Sequence, residues 1–290
     1  MSPTILTHNN MNKVFLPIMA ALLLAGCSQK ADNAEATPTD SDSIQCEEVE
    51  ADEEESVPTG LVTKRVAKKE GLRNWTYSFV ADYPVDGNPM LVNSIREWIS
   101  ETLGGTYTGN LADTTSMFDH YAKEYLTDDD ETGIDSDDDF SFEGVNESEF
   151  TIIWQNDKLV TYQLKEYWYG GGAHGGTFIA GFTFRKSDGR LFGSDMFMAK
   201  ADLQKELHEG LATYFGATTD EELEQQLFLS NYQSVSNLPM PKADPWIDGE
   251  GVHLVYGEYE IACYAAGLPE VIIPLNRAKK YFTATVLKEL

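Results

Sequence analysis

The run Leu159-Val-Thr-Tyr-Gln-Leu-Lys-Glu-Tyr-Trp-Tyr169, Gly170-Gly-Gly-Ala-His174-Gly-Gly176, Thr177-Phe-Ile-Ala-Gly-Phe-Thr-Phe-Arg185 is two strand patterns joined by glycine. Val160, Tyr162 and Leu164 alternate with polar neighbours over 159–168, and Phe178, Ala180, Phe182 and Phe184 alternate over 177–185, the two-residue period of a β-strand. Gly170-x-Gly172-x-x-Gly175 has the spacing of a dinucleotide fingerprint, but that motif must open a helix, and here a strand follows. No Lys-Ser/Thr pair follows Gly176, so a phosphate-binding P-loop is excluded as well.

Outward from this pair, strand patterns are expected over 74–85, 150–154, 252–256, 259–264 and 271–274. Leu91, Ile95, Trp98 and Ile99 share one helical face over 90–103; Met117, Phe118, Tyr121, Ala122 and Tyr125 do so over 113–126. Leu203, Leu207 and Leu211 mark a helix over 200–215, Thr219-x-x-Glu222 has a capping-box pattern, and a short helix follows Asn276. Strands and helices in the order ββααβββααβββα predict an α+β fold of antiparallel sheets with packed helices. No internal repeat is evident.

Val14–Ala25 is an apolar run of 12 residues preceded by Lys13, too short to span a bilayer but suited to a secretory signal. Leu24-Ala25-Gly26-Cys27 resembles a bacterial lipobox, which implies cleavage before Cys27 and acylation of that cysteine, palmitate included. Ser28 in the next position resembles lipoproteins sorted to an outer membrane. The expected organisation is a signal peptide over 1–26, an acidic tether over 27–60, and two halves over 61–176 and 177–290.

Charge is concentrated. The chain carries 48 Asp and Glu against 21 Lys and Arg, a formal charge of −27, which excludes a nucleic-acid binder because phosphate recognition depends on cations. Residues 32–55 and 128–149 hold eleven acids each and no Lys or Arg. Without them and the signal peptide, 26 acids face 20 cations, a balance of −6. Asp128-x-Asp130-x-Thr132-Gly133 with Asp139 in twelfth place has EF-hand spacing. An Asp at position eight, Asp rather than Glu at twelve and no following helix make a solvated acidic loop the better reading.

Tyr167-x-Tyr169-x-Gly171-Gly172-Ala173-His174-Gly175, together with Tyr259-Glu-Ile-Ala-Cys-Tyr264-Ala-Ala-Gly267 and Val271-Ile-Ile-Pro274, carries a family resemblance. These strings resemble the domain of unknown function shared by the ectodomain of the lysozyme-binding anti-sigma factor RsiV and the N-terminal region of the peptidoglycan deacetylase PdaC. The resemblance covers most of 61–290. It implies a non-catalytic binding module for a cell-wall component or a lysozyme-like protein, without cofactor. Neither a cytoplasmic segment nor the deacetylase's metal-binding set is found in the sequence.

Tyr167, Trp168, Tyr169, Gly171, Gly172, His174, Tyr259 and Tyr264 are the candidate ligand-binding residues. The glycines expose backbone N–H groups or serve as a tight connection, the aromatics suit a sugar or a protein, and His174 adds a switchable charge. The alternatives are an envelope-polymer hydrolase using His174 and a structural lipoprotein without ligand. A nucleophile elbow and a His-Glu-x-x-His pattern are absent from the sequence, and His120 with Glu124, one helical turn apart, lacks a third metal ligand. Cys46 and Cys263 remain once Cys27 is taken by the anchor; a disulfide between them would tie down a tail.

Overall fold

The computed structural model describes residues 60–72, 74–128, 143–229 and 234–290. The signal peptide, the tether with Cys27 and Cys46, and calcium candidates Asp130, Thr132 and Asp139 lie outside the described residues; Asp128 closes a helix, its side chain likewise outside them. No helix among the described residues is long and apolar enough to cross a membrane.

The fold is α+β. A six-stranded sheet runs in chain order through β1 (Val62–Leu72), β2 (Trp75–Asp86), β3 (Gly144–Gln155), β4 (Leu159–Tyr169), β5 (Gly176–Arg185) and β6 (Leu191–Phe192). Its pairs are antiparallel except one: β2 and β3 run parallel, a departure from the expected all-antiparallel sheet. Parallel neighbours need a crossover, and α1 (Pro89–Thr102) and α2 (Thr114–Asp128) lie in that connection. Asn88 caps α1 by accepting from the Met90 N–H, with Pro89 in the first turn, where its missing N–H costs nothing.

Tyr77, Phe79, Ala81 and Tyr83 of β2 and Val160, Tyr162 and Leu164 of β4 point to the same face and pack under both helices. Trp98 of α1 meets Phe150, Tyr162, Phe182 and Phe184 there. β5 and β6, on the C-terminal side of the 176/177 division, hydrogen bond into this same sheet.

A second sheet, β7 (Trp246–Ile247), β8 (Gly251–Val255) and β9 (Glu270–Pro274), shares a separate apolar core with α3 (Gln204–Phe215), α4 (Asp220–Glu224), α5 (Leu275–Ala278) and α6 (Ala284–Leu287). Thr219 caps α4 by accepting from the Glu222 N–H, while the Glu222 carboxylate reaches back to Thr218 rather than to Thr219. This sheet docks on the helix-free face of the large one through a polar contact. Thr183 Oγ1 accepts the Ile247 N–H at 2.9 Å, Thr161 Oγ1 donates to the Ile247 carbonyl at 2.5 Å, and all are buried. Beside them the Trp246 indole lies across Gly181, where a Cβ would overlap the ring.

The strand expected over 259–264 is instead a turn followed by a 3-10 turn (Tyr264–Ala266). Tyr259 has φ 60°, outside the β region, and Glu260 closes the turn by accepting the Gly257 N–H at 2.8 Å and the Lys242 N–H at 2.7 Å. The Glu260 N–H bonds back to the Gly257 carbonyl at 3.1 Å and the Ile261 carbonyl accepts the Phe228 N–H at 2.7 Å, so backbone groups of this segment are satisfied outside a strand ladder.

Candidate functional site

The docking of the small sheet brings together two of the strings that carry the family resemblance. His174, in the connection between β4 and β5, stacks on Tyr264 with ring centroids 3.7 Å apart and planes 20° from parallel. Tyr259 completes the cluster, 6.4 Å from His174 and 5.9 Å from Tyr264 between centroids. His174 Nδ1 lies 2.9 Å from the Gly175 carbonyl, an acceptor, so that nitrogen carries the proton; Nε2 then accepts from the Tyr259 hydroxyl at 3.3 Å. His174 and Tyr259 are exposed, Tyr259 at 56%.

Two anchors hold the cluster. Glu258 accepts the Thr177 N–H at 3.0 Å, tying the turn that presents Tyr259 to the first residues of β5. Tyr214 of α3 donates to the Ala266 carbonyl at 2.7 Å, holding the turn that presents Tyr264. The Tyr264 phenol is pushed above its ordinary range by partial desolvation, then by the Glu258 carboxylate and the neighbouring Tyr167 and Tyr259, so it stays a neutral hydroxyl.

Gly171 and Gly172 have φ of 90° and 98°, and the Tyr169 hydroxyl donates to the Gly172 carbonyl at 3.1 Å. The glycines thus make the sharp connection that carries His174. A Cβ on Gly175 would meet the Trp168 carbonyl and the Tyr167 ring, so this glycine lets the loop close onto β4.

Trp168 does not join the cluster. Tyr167 and Tyr169 share the face on which the small sheet docks; Trp168, between them, points to the helix-covered face and is 47% exposed. Of the remaining candidates, Cys263 is a free, exposed thiol. His120 Nε2 lies 2.8 Å from Thr106 Oγ1, which also donates to Glu124, so His120 and Glu124 converge on a hydroxyl. Among the described residues no group of three or more His, Cys, Asp or Glu side chains is arranged to hold a metal ion.

Glu258 is the site residue that the motifs did not single out. Its signal is its place directly before Tyr259, but its role depends on Thr177, 81 residues away.

Chemically, the cluster offers flat apolar ring surface edged by phenol hydroxyls, one imidazole and one carboxylate. The hydrogen bonds of His174 go to a phenol and a backbone carbonyl, and none goes to a nucleophile or to a carboxylate that would orient it as a base.

Residues 194–276 match the model of a family described as a protein of unknown function, DUF3298. The match takes in Tyr259 and Tyr264; His174 lies outside it. A DUF3298 family protein from Bacteroides fragilis has a similar crystal structure, with a TM-score of 0.65 and 19% identity over 80% of this chain and 98% of that one. A DUF3298 family protein from Pseudomonas aeruginosa is similar with a TM-score of 0.53 and 16% identity, over 78% of this chain and 96% of that one. Shared fold therefore extends beyond the family match into the six-stranded sheet. No curated protein matches the chain.

Proposed function

We propose that this protein is a cell-envelope lipoprotein, anchored through Cys27 and directed to the outer membrane. Its module binds a lysozyme-like protein or a cell-wall component without transforming it. The observation that carries this reading is the exposed stack of His174 on Tyr264, edged by Tyr259. Tyrosine-rich, partly exposed clusters on a rigid support are the composition of protein-binding hot spots. Lysozymes are basic, and a chain of net charge −27 would draw such a partner by long-range attraction. The resemblance to a lysozyme-binding ectodomain points the same way.

Binding of lysozyme and of solubilised peptidoglycan fragments to the full chain in detergent tests this reading, with His174→Ala and Tyr264→Ala beside the wild type. Saturable binding of either ligand that both substitutions weaken supports it. Wild-type chain that binds neither ligand overturns it, and so does turnover of wall fragments that disappears with His174→Ala.

A further inference from the structure

On the face of the large sheet opposite the docked small sheet, two indoles lie over glycines of neighbouring strands. Trp75 of β2 covers Gly144 of β3, and its outer edge reaches to 3.3 Å of where a Gly170 Cβ would stand; Trp168 of β4 covers Gly176 of β5. A side chain at Gly144 or Gly176 would overlap the ring above it, so glycine there lets each indole lie against the neighbouring strand, with Trp168 47% exposed and Trp75 half-buried. β2 and β4 flank β3, and Trp75 is level with Gly144 while Trp168 is level with Asn146, so the two tryptophans stand two strand spacings across the sheet, ~10 Å, and two residues along it, ~7 Å.

The polar groups of this face stand next to them. Asn146 of β3 pairs with Trp168 across the strands, and Glu166 pairs with Ser148 one step further in, with Ser148 Oγ 3.4 Å from Glu166 Oε1. The patch is therefore two separated stacking planes with an amide, a hydroxyl and a carboxyl group beside them.

We propose that this patch is a carbohydrate site, distinct from the His174 cluster, that takes a glycan segment. Trp75 and Trp168 stack on the apolar faces of two pyranose rings of one chain; Asn146 and Glu166 hydrogen bond to their hydroxyl groups. Amphipathic sugar faces match indole surface, and convergent polar groups fix orientation without demanding a charged ligand. The site gives a specific form to the wall-component side of the proposed function, and it does not depend on binding at His174.

Calorimetric titration of the full chain in detergent with chitotetraose tests it. Saturable binding is expected, weakened about tenfold or more by Trp168→Ala and by Trp75→Ala. Trp168→Tyr, which keeps a stacking plane and disturbs folding least, should retain most of the affinity, and His174→Ala and Tyr264→Ala should titrate as the wild type does. Absence of saturable binding to the wild type overturns the proposal. Equal affinity in Trp168→Ala also overturns it, and loss of chitotetraose binding in His174→Ala overturns the separation of the two sites. Lysozyme binding through His174 is a different measurement, so failure of that reading leaves this result unaffected.

Discussion

The imidazole of His174 and the phenol ring of Tyr264 come from strings 90 residues apart in sequence numbering, yet stack at 3.7 Å on the surface of the folded chain. Because His174 is exposed and Tyr264 only partly covered, the stack contributes little to the core. Tyr264→Ala should change unfolding free energy by less than about 1 kcal/mol, as for most surface substitutions. It should weaken partner binding by about 2 kcal/mol or more, the cost of losing a hot-spot side chain. Urea unfolding and a binding isotherm on the same preparation check both halves.

Tyr259 occupies the left-handed region at φ 60°, where a Cβ costs about 1–2 kcal/mol. Tyr259→Gly removes that cost but frees the unfolded backbone. The expected outcome is stability within about 1 kcal/mol of the wild type combined with clear loss of lysozyme binding. Thermal unfolding beside a pull-down separates the two effects.

His253 is buried in β8, stacked on Trp246, with Nδ1 2.6 Å from Glu270 Oε1; Nε2 lies 2.8 Å from Asp248 Oδ1 but out of hydrogen-bond alignment. Burial works against its charge, but the two carboxylates outweigh burial and raise it above its ordinary 6.5. A raised pKa means that the fold favours the protonated ring. Its stabilisation is fully present below pH 6.5, while the carboxylates remain ionised, and is lost as pH rises through the folded value. The stability gap between wild type and His253→Asn should therefore narrow from pH 5.5 to pH 9, measured by urea midpoints at each pH.

Glu166 is pushed above the usual carboxylate range by burial, partly offset by Ser148. The folded chain thus holds the acid form more tightly, and stability falls as pH rises above the ordinary 4.5 toward the raised value. Glu166→Gln should be more stable than the wild type at pH 7 and lose that advantage near pH 4. Thermal midpoints at the two pH values check the sign.

Thr183→Val keeps the shape of the side chain and leaves the buried Ile247 N–H without its acceptor, at a cost of about 1–3 kcal/mol. Thr161→Val should do the same to the carbonyl, and the double variant should cost less than the sum because the two hydroxyls lie 3.0 Å apart in one network. Urea unfolding of the three variants measures the coupling.

Long periodic elements were legible in the sequence. Leu91, Ile95, Trp98 and Ile99 mark α1 because one helical face must meet the sheet, and β2, β4 and β5 show their two-residue alternation plainly. β6 and β7 are two residues each and offer no period to read. The turn at Tyr259 imitates a strand because Tyr259, Ile261 and Cys263 fall at alternate positions, while the Glu260 contacts that close it leave no periodic mark.

The site was legible as two strings and not as one place. Nothing local to His174 specifies Tyr264, since their meeting follows from the docking of the small sheet. Proximity in sequence groups Trp168 with His174, although strand alternation sends it to the other face.

The threonine pair that receives Ile247 has a consequence for how the site comes and goes. Apolar interfaces alone permit one element to slide on another, whereas two hydroxyls meeting both backbone groups of one residue permit a single registration. Tyr259 and Tyr264 belong to the element so registered, and His174 to the element that receives it. A chain whose small sheet has come away by partial opening, its core still folded under α1 and α2, would keep half of each contact and lose the His174–Tyr264–Tyr259 surface. Assembly of that cluster and native docking are in that sense one cooperative event.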